Sequence, residues 1–137
     1  MQVENRVVPN QEQMAGFAES GPDGPIYMVN LLKFRDLAKY EDGRQTELSG
    51  RDAYQIYGRA VSSLIGEYGG EVVFAADVTF LALGQVEELW DEVAIAKYPN
   101  RAALLEMSTS EEWQTAAVHR SAGLAGQLNI ESVSLIG

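Results

Sequence analysis

The segment 25–34 restricts the fold of this chain more than any other, because it is a predicted β-strand with two apolar faces. Its sequence is PIYMVNLLKF, in which aliphatic and aromatic side chains occupy odd and even positions alike. Successive side chains of a strand point to opposite faces, so both faces of this strand have to be covered. The sequence therefore requires a layer of structure on each side of it.

Capping and glycine patterns divide the rest of the chain into helices and strands. Capping-box patterns begin at Asn10 and Ser49, and a further one at Ser108 or Thr109 precedes the last helix. Gly69 and Gly70 end the longest helix, and a left-handed backbone at one of them favours glycine. The predicted elements are a helix after Asn10, a strand over 25–34, a helix over 51–68, strands over 70–84 and 89–98, a helix ending at Met107, a helix carrying Trp113 to Leu124, and a strand over 128–136.

After the first helix, the predicted order is βαββαβ, which is the ferredoxin-like motif of the α+β class. We predict an antiparallel sheet with helices on one face, with a short hairpin at 85–88. The single domain covers 1–137, with a helical extension over 1–24 and the core over 25–137. Because the second sheet face is too apolar for water, we predict a homodimer whose sheets pair into an α+β barrel.

The charge balance and the missing cysteines argue against several classes of function. Ten Lys and Arg against twenty Asp and Glu give a net charge of −10, which argues against partners such as nucleic acid or an anionic membrane surface. With no cysteine and one histidine, we expect no metal site and no bound cofactor. No segment has the pattern of a signal peptide or a membrane span, so we expect a cytoplasmic protein.

Five segments resemble, in this order, a bacterial protein family. They are GPIYMVNLLKF, SGRDAYQIYG, YGGEVVFAADVTFLALGQ, WDEVAIAKYPNRAALLEM and HRSAGL. Together they resemble family number thirteen-thirty among the catalogued domains of unknown function, a member of the dimeric α+β barrel superfamily. The resemblance extends from about Pro25 to Ile136.

The resemblance implies ferredoxin-like subunits whose sheets share a barrel, in agreement with the predicted element order. The wider superfamily includes cofactor-free monooxygenases that form quinones, lactone isomerases, polyketide cyclases, haem enzymes and proteins without known activity, so the fold does not select a function. In several of these, a small-molecule pocket lies between the sheet and its helices, and a polar residue of the first strand reaches into it.

Asn30 is the first candidate for a ligand-binding residue. It interrupts an apolar strand face, and burying its carboxamide without partners costs about 1–3 kcal/mol. It could donate a hydrogen bond to a ligand carbonyl or a developing oxyanion. The alternative is that neighbouring backbone groups satisfy it.

His119 and Arg120 are candidates on the last helix. His119 is the only histidine and could act as a general base, or it could be a solvent-facing residue near the helix end. Arg120 could bind a carboxylate or phenolate ligand, or form a surface ion pair. Adjacent helical positions point about 100° apart, so the two side chains should not face one pocket equally.

Tyr54, Tyr57 and Trp113 lie on helix faces that should contact the sheet. Such aromatic residues fill cores, but their polar groups also allow them to line a pocket for an aromatic ligand.

Two functions remain open. In one, the protein is a cofactor-free enzyme of the monooxygenase, isomerase or cyclase type, acting on a small organic acid, phenol or lactone. Asn30 and Arg120 would then orient the substrate and His119 would move a proton. In the other, it is a non-catalytic structural or stress-related dimer that binds a small organic ligand.

Overall fold

The first helix begins where its capping pattern predicts. In the computed structural model, which describes residues 3–136, α1 spans Gln11–Phe17, and Asn10 and Gln13 form both hydrogen bonds of the capping box. The other elements follow in the predicted order: β1 (Ile26–Phe34), α2 (Gly50–Leu64) with a final 3-10 turn (Ile65–Tyr68), β2 (Glu71–Asp77), β3 (Glu92–Tyr98), α3 (Arg101–Ser108), α4 (Glu111–Gly123) and β4 (Leu124–Ser132).

The four strands form one antiparallel sheet in the order β2-β3-β1-β4. This order confirms the predicted ferredoxin-like fold. β1 is an inner strand, and its Asn30 lies between Ala94 of β3 and Asn129 of β4. The polar interruption of the apolar strand is therefore at the centre of the sheet.

Helices cover one face of the sheet. The even-numbered residues of β1 face them, and Ile26 and Leu32 have no exposed surface. Residues from α2 and its 3-10 turn, α3, β3 and β4 complete this core, including Val61, Leu64, Ile65, Tyr98, Met107 and Leu124.

The opposite face of the sheet carries an uncovered apolar surface. Cross-strand pairing places Phe74, Ile95, Val29 and Ile130 in one row across all four strands. Within the single chain, Phe74 is 51% exposed and Ile130 is 48% exposed. A second row contains Ala76, Val93, Leu31 and Leu128. We call these eight residues the open sheet face.

The predicted second strand is too long. β2 ends at Asp77, and the connection to β3 runs from Val78 to Asp91 instead of forming a short turn at 85–88. The carboxylate of Asp91 accepts a hydrogen bond from the backbone N–H of Phe34 at 2.8 Å, where strand pairing would otherwise continue. The apolar pattern of 78–84 therefore lies in an irregular segment, in which Phe80 is 79% exposed.

The last helix and strand are both displaced from their predicted positions. Ser110 caps α4, rather than Ser108 or Thr109, because α3 extends to Ser108 and Ser110 is the residue with extended backbone before Glu111. β4 begins at Leu124, four residues before the prediction, because Leu124 pairs with Phe34 and does not continue the helix.

α2 and α4 approach each other closely at two glycines. A Cβ at Gly50 would lie 2.6 Å from the carbonyl oxygen of Gly123, and a Cβ at Gly123 would lie 2.9 Å from the backbone nitrogen of Tyr54. Both distances are too short for a side chain. The glycines therefore set the spacing at which α4 holds Arg120 above the sheet.

The N-terminal extension packs against the edge of the domain beside β4. Arg101 of α3 donates to the carbonyl oxygen of Gly16 at 3.1 Å, and its guanidinium lies 5.0 Å from the ring centre of Phe17. Arg101 also forms a bidentate ion pair with Glu131 of β4. Residues 1, 2 and 137 lie outside the described residues, and the bounds of the predicted domain remain a prediction.

Candidate functional site

A chain of polar side chains crosses the interior between the sheet and α4. The Asn30 Nδ2 group donates to the backbone carbonyls of Met28 and Ala94, at 3.2 and 3.3 Å. Asn30 Oδ1 accepts a hydrogen bond from Gln127 Nε2 at 2.7 Å, and Gln127 Oε1 accepts one from Arg120 Nη2. The structure therefore connects two of the predicted site residues, Asn30 and Arg120, through a residue that sequence analysis did not select.

Arg120 is a part-buried cation without an acidic partner. Its Nη2 group donates to two neutral oxygens, Gln127 Oε1 and the carbonyl of Val7, the latter at 2.7 Å. Among residues 3–136, no carboxylate forms an ion pair with Arg120, and its Nε and Nη1 atoms have no hydrogen-bond acceptor. In a chain with twice as many acidic as basic residues, this cation is left available for an anion.

The three predicted aromatic residues form one connected group. The Tyr54 and Tyr57 ring centres lie 5.3 Å apart, and Trp113 meets Tyr57 edge-on at 6.1 Å. Trp113 Nε1 donates to the Tyr57 hydroxyl at 3.2 Å. Phe34 extends the group, with its ring 5.4 Å from that of Tyr54. These rings form an aromatic wall between α2, α4 and the sheet.

Burial raises the pKa of the Tyr54 and Tyr57 hydroxyls. The positive charge of Arg120 opposes this shift at both residues, and the Trp113 hydrogen bond opposes it at Tyr57. Both phenols are therefore neutral at physiological pH and can donate a hydrogen bond to a ligand oxygen.

His119 lies apart from this group. Its Nδ1 atom is 2.6 Å from the hydroxyl of Tyr40, a buried residue of the loop before α2, and the two rings meet edge-on. Next to this pair, a cleft of about 330 Å³ lies between α4 and the loop, lined by Tyr40, Glu41, Gln114 and Val118 among others. None of His119, Asn30 and Arg120 lines the cleft. His119 contacts Tyr40, whereas Arg120 contacts Val7 and Gln127, so the structure does not bring the predicted base to the predicted ligand-binding residues.

The environment of His119 predicts a pH-dependent stability. Burial, assisted by the positive charge of Arg44, lowers the pKa of His119. The unfolded chain therefore binds a proton at His119 more tightly than the folded protein does. The stability that the neutral ring contributes is fully present above the ordinary pKa of histidine, and it is lost as the pH falls through the lowered pKa. We expect urea denaturation of His119→Gln to show a smaller loss of stability between pH 7 and pH 5 than that of the wild type. An equal loss in both proteins would contradict this assignment.

Three residues near these sites are not predicted from the sequence. Gln127 is buried and joins Asn30 to Arg120, and Tyr40 holds His119. Glu92 is a half-buried carboxylate of β3 whose pKa is raised by burial, although Arg51 partly opposes the shift. A polar residue at a buried strand position is the signal that could have identified Gln127, but the predicted strand began one residue after it.

No helix in the described part of the chain is long and apolar enough to cross a bilayer. Across residues 3–136, no group of three or more His, Asp and Glu side chains is arranged to hold a metal ion.

Comparisons with known proteins relate the chain to proteins without an assigned activity. A family model described as a domain of unknown function, DUF1330, matches residues 43–132. The crystal structure of a protein of unknown function from Rhodopseudomonas palustris is 33% identical, with a TM-score of 0.86, and the match covers 98% of this chain and 100% of that one. No curated protein matches the sequence significantly.

Two more distant structures are similar in fold alone. One is a dimeric ferredoxin-like protein of unknown function from Bacteroides fragilis, 12% identical with a TM-score of 0.52, over 80% of this chain and 96% of that one. The other is a candidate antibiotic biosynthesis monooxygenase from Caulobacter crescentus, 11% identical with a TM-score of 0.54, over 82% and 92% of the two chains.

Proposed function

This chain belongs to the DUF1330 family of unknown function, as its five sequence segments indicated, and from that premise we propose that it is a homodimeric protein that binds a small aromatic organic acid. The acid group binds Arg120, and the ring of the ligand lies against the aromatic wall of Tyr54, Tyr57 and Trp113. The unpaired, part-buried guanidinium of Arg120 is the observation that carries this proposal.

Arg120 selects for a carboxylate or phenolate because a guanidinium presents a planar fork of N–H donors. A part-buried cation without an anion loses hydration that no opposite charge replaces, and a ligand carboxylate would compensate for that loss. Asn30 is a positioning residue in this arrangement: it holds Gln127 Nε2, and so directs Gln127 Oε1 toward Arg120. The Asn30 carboxamide itself donates to backbone carbonyls, as the alternative interpretation of this residue predicts.

The tyrosines support an aromatic ligand over an aliphatic one. Their rings offer faces for offset or edge-on contact, and a neutral Tyr54 hydroxyl can donate to a second oxygen of the ligand. This matches the class of small organic acids and phenols expected from sequence.

The open sheet face supports the homodimer. Its apolar rows run across all four strands, and a second copy of the chain supplies an identical surface that can cover it isologously. The similar fold from Bacteroides fragilis is described as dimeric.

The test is calorimetric titration with benzoate and 4-hydroxybenzoate. We expect Arg120→Gln to weaken binding by about 10- to 100-fold, the value of one charge-assisted hydrogen-bonded pair of roughly 1.5–3 kcal/mol. Arg59→Gln is the matched control, since Arg59 is exposed on α2 and should bind the acids as the wild type does.

Arg120→Lys keeps the charge without the fork and should bind with intermediate affinity. Benzamide, the neutral analogue of benzoate, should bind wild type weakly and lose little in Arg120→Gln. Equal loss of affinity in the Arg59 and Arg120 variants, or equal binding of benzamide and benzoate, would overturn the proposal.

The two functions predicted from the sequence, an enzyme and a non-catalytic binding protein, differ in whether the bound acid reacts. A cofactor-free enzyme needs a base near the ligand, and the described residues offer Glu92, whose charge acts on Tyr54, rather than His119. Mass spectrometry of a ligand incubated aerobically with the protein detects turnover, whereas an unchanged ligand supports the binding protein.

A further inference from the structure

The N-terminal segment 3–9, which we call the N-terminal strap, lies across β4 beside Arg120. The backbone N–H of Arg6 donates to the carbonyl of Gln127 at 3.2 Å and forms an isolated β-bridge with it. The side chain of Asn5 lies over Gly126, where a Cβ would collide with it. Gly126 therefore leaves the space in which the strap crosses the strand.

Few contacts hold the strap in place. Val7 is its one half-buried residue, packed against Leu32, Phe34 and Leu124, and all its other residues are exposed. The ion pair of Glu4 with Arg6 lies within the strap and does not attach it to the domain. Segments with one backbone bridge and little buried surface open locally at low free-energy cost.

The strap occupies a donor that a bound acid needs. A guanidinium can donate two parallel hydrogen bonds to a carboxylate along either of two edges, one formed by Nε and Nη2 and the other by Nη1 and Nη2. Both edges include Nη2. In Arg120, Nη2 donates to the carbonyl of Val7 and to Gln127 Oε1. A carboxylate that binds Arg120 through two hydrogen bonds must therefore displace one of these oxygens. Gln127 is buried and fixed by Asn30, whereas Val7 belongs to the exposed strap.

We propose that the N-terminal strap is a displaceable lid over Arg120, and that the carboxylate of a bound acid replaces the Val7 carbonyl as the strap moves away. This inference rests on the proposed function for the identity of the ligand, but the displacement of the strap can be measured without one. The lid would also keep the guanidinium hydrogen-bonded while no ligand is present.

A reversible cross-link tests the lid directly. Asn5→Cys combined with Gly126→Cys places two thiols where the strap crosses β4, in a chain that has no other cysteine. The Asn5 substitution removes the carboxamide that a Cβ at position 126 would otherwise meet. In the oxidised protein we expect benzoate affinity to fall about tenfold or more, because the binding-competent fraction is reduced, and reduction should restore it. Equal benzoate affinity in the oxidised and the reduced protein would contradict the proposal that the strap is a lid.

Chemical modification of Arg120 provides the ligand-free measurement. Phenylglyoxal reacts with both terminal guanidinium nitrogens, so its reaction at Arg120, followed by peptide mass spectrometry, should be slower in the oxidised than in the reduced protein. Equal rates would show that the strap does not open. If the wild type binds no acid while these rates differ, the proposed function fails and the displaceable strap stands.

A pair of single substitutions tests the lid without a cross-link. Val7→Ser removes the apolar anchor of the strap, whereas Val8→Ser makes the same change at a neighbour that is 65% exposed. Arg120 should react faster with phenylglyoxal in Val7→Ser and at the wild-type rate in Val8→Ser. The same rate in both variants would contradict the proposal.

Discussion

Gly123→Ala should destabilise the protein by about 3 kcal/mol or more, because it forces α2 and α4 apart. The new methyl group would overlap the carbonyl of Gly50 and lie 2.9 Å from the backbone nitrogen of Tyr54. Both obstacles are backbone atoms, so no side-chain rotation relieves them. Urea denaturation followed by circular dichroism measures the loss, and an unfolded variant would be the extreme form of the same result.

Gly58→Ala is the matched control and should change the free energy of unfolding in the opposite direction. Gly58 lies within α2, and a Cβ there meets nothing within 4 Å. Replacing glycine by alanine in a helix interior should stabilise the protein by about 0.5–1 kcal/mol. If the two substitutions changed stability equally, the close approach of the helices would not be the cause.

Ile95→Glu should abolish the proposed homodimer. Ile95 pairs with Phe74 and Val29 in the middle of the open sheet face, where a partner subunit would remove a carboxylate from water without an opposite charge. An unpaired buried charge costs several kcal/mol, which is enough to separate two subunits at micromolar concentration. Analytical ultracentrifugation of wild type and variant measures the change.

The control for this substitution is Val118→Glu, which adds the same charge on the surface of α4. Val118 is 43% exposed and lines the cleft between α4 and the loop before α2, and it is not part of the open sheet face. This variant should remain dimeric. A monomeric wild type, or a dimeric Ile95→Glu protein, would show that the open sheet face is not the interface.

The candidate site was predictable in its parts but not in its connections. Asn30 could be selected because a carboxamide on an apolar strand needs partners, and Arg120 because a guanidinium suits an organic acid. Gln127, which joins them, was missed because β4 begins earlier than its sequence pattern indicates. The pairing of Leu124 with Phe34 moves that boundary, and strand pairing is not a local property.

The placement of His119 illustrates the same limit. Helical geometry alone separates it from Arg120 by about 100°, and the two side chains do contact different partners. His119 contacts Tyr40 because of the path of the loop before α2. In that loop, the backbone N–H of Ala38 donates to the carbonyl of Leu48, and that of Lys39 donates to the carbonyl of Ala122. Loop paths of this kind follow from many weak contacts rather than from a repeating pattern.

By itself, the sequence determined the class of fold, the order of its elements and the presence of two apolar sheet faces. Those features depend on residues close together in the chain, through side-chain periodicity and helix capping, which act within a few residues. The tertiary structure alone decided that Val7 and Gln127 share one nitrogen of Arg120, because Val7 lies near the opposite end of the chain from the other two residues. Only packing of the whole domain brings such groups within hydrogen-bonding distance, and the candidate site depends on those contacts.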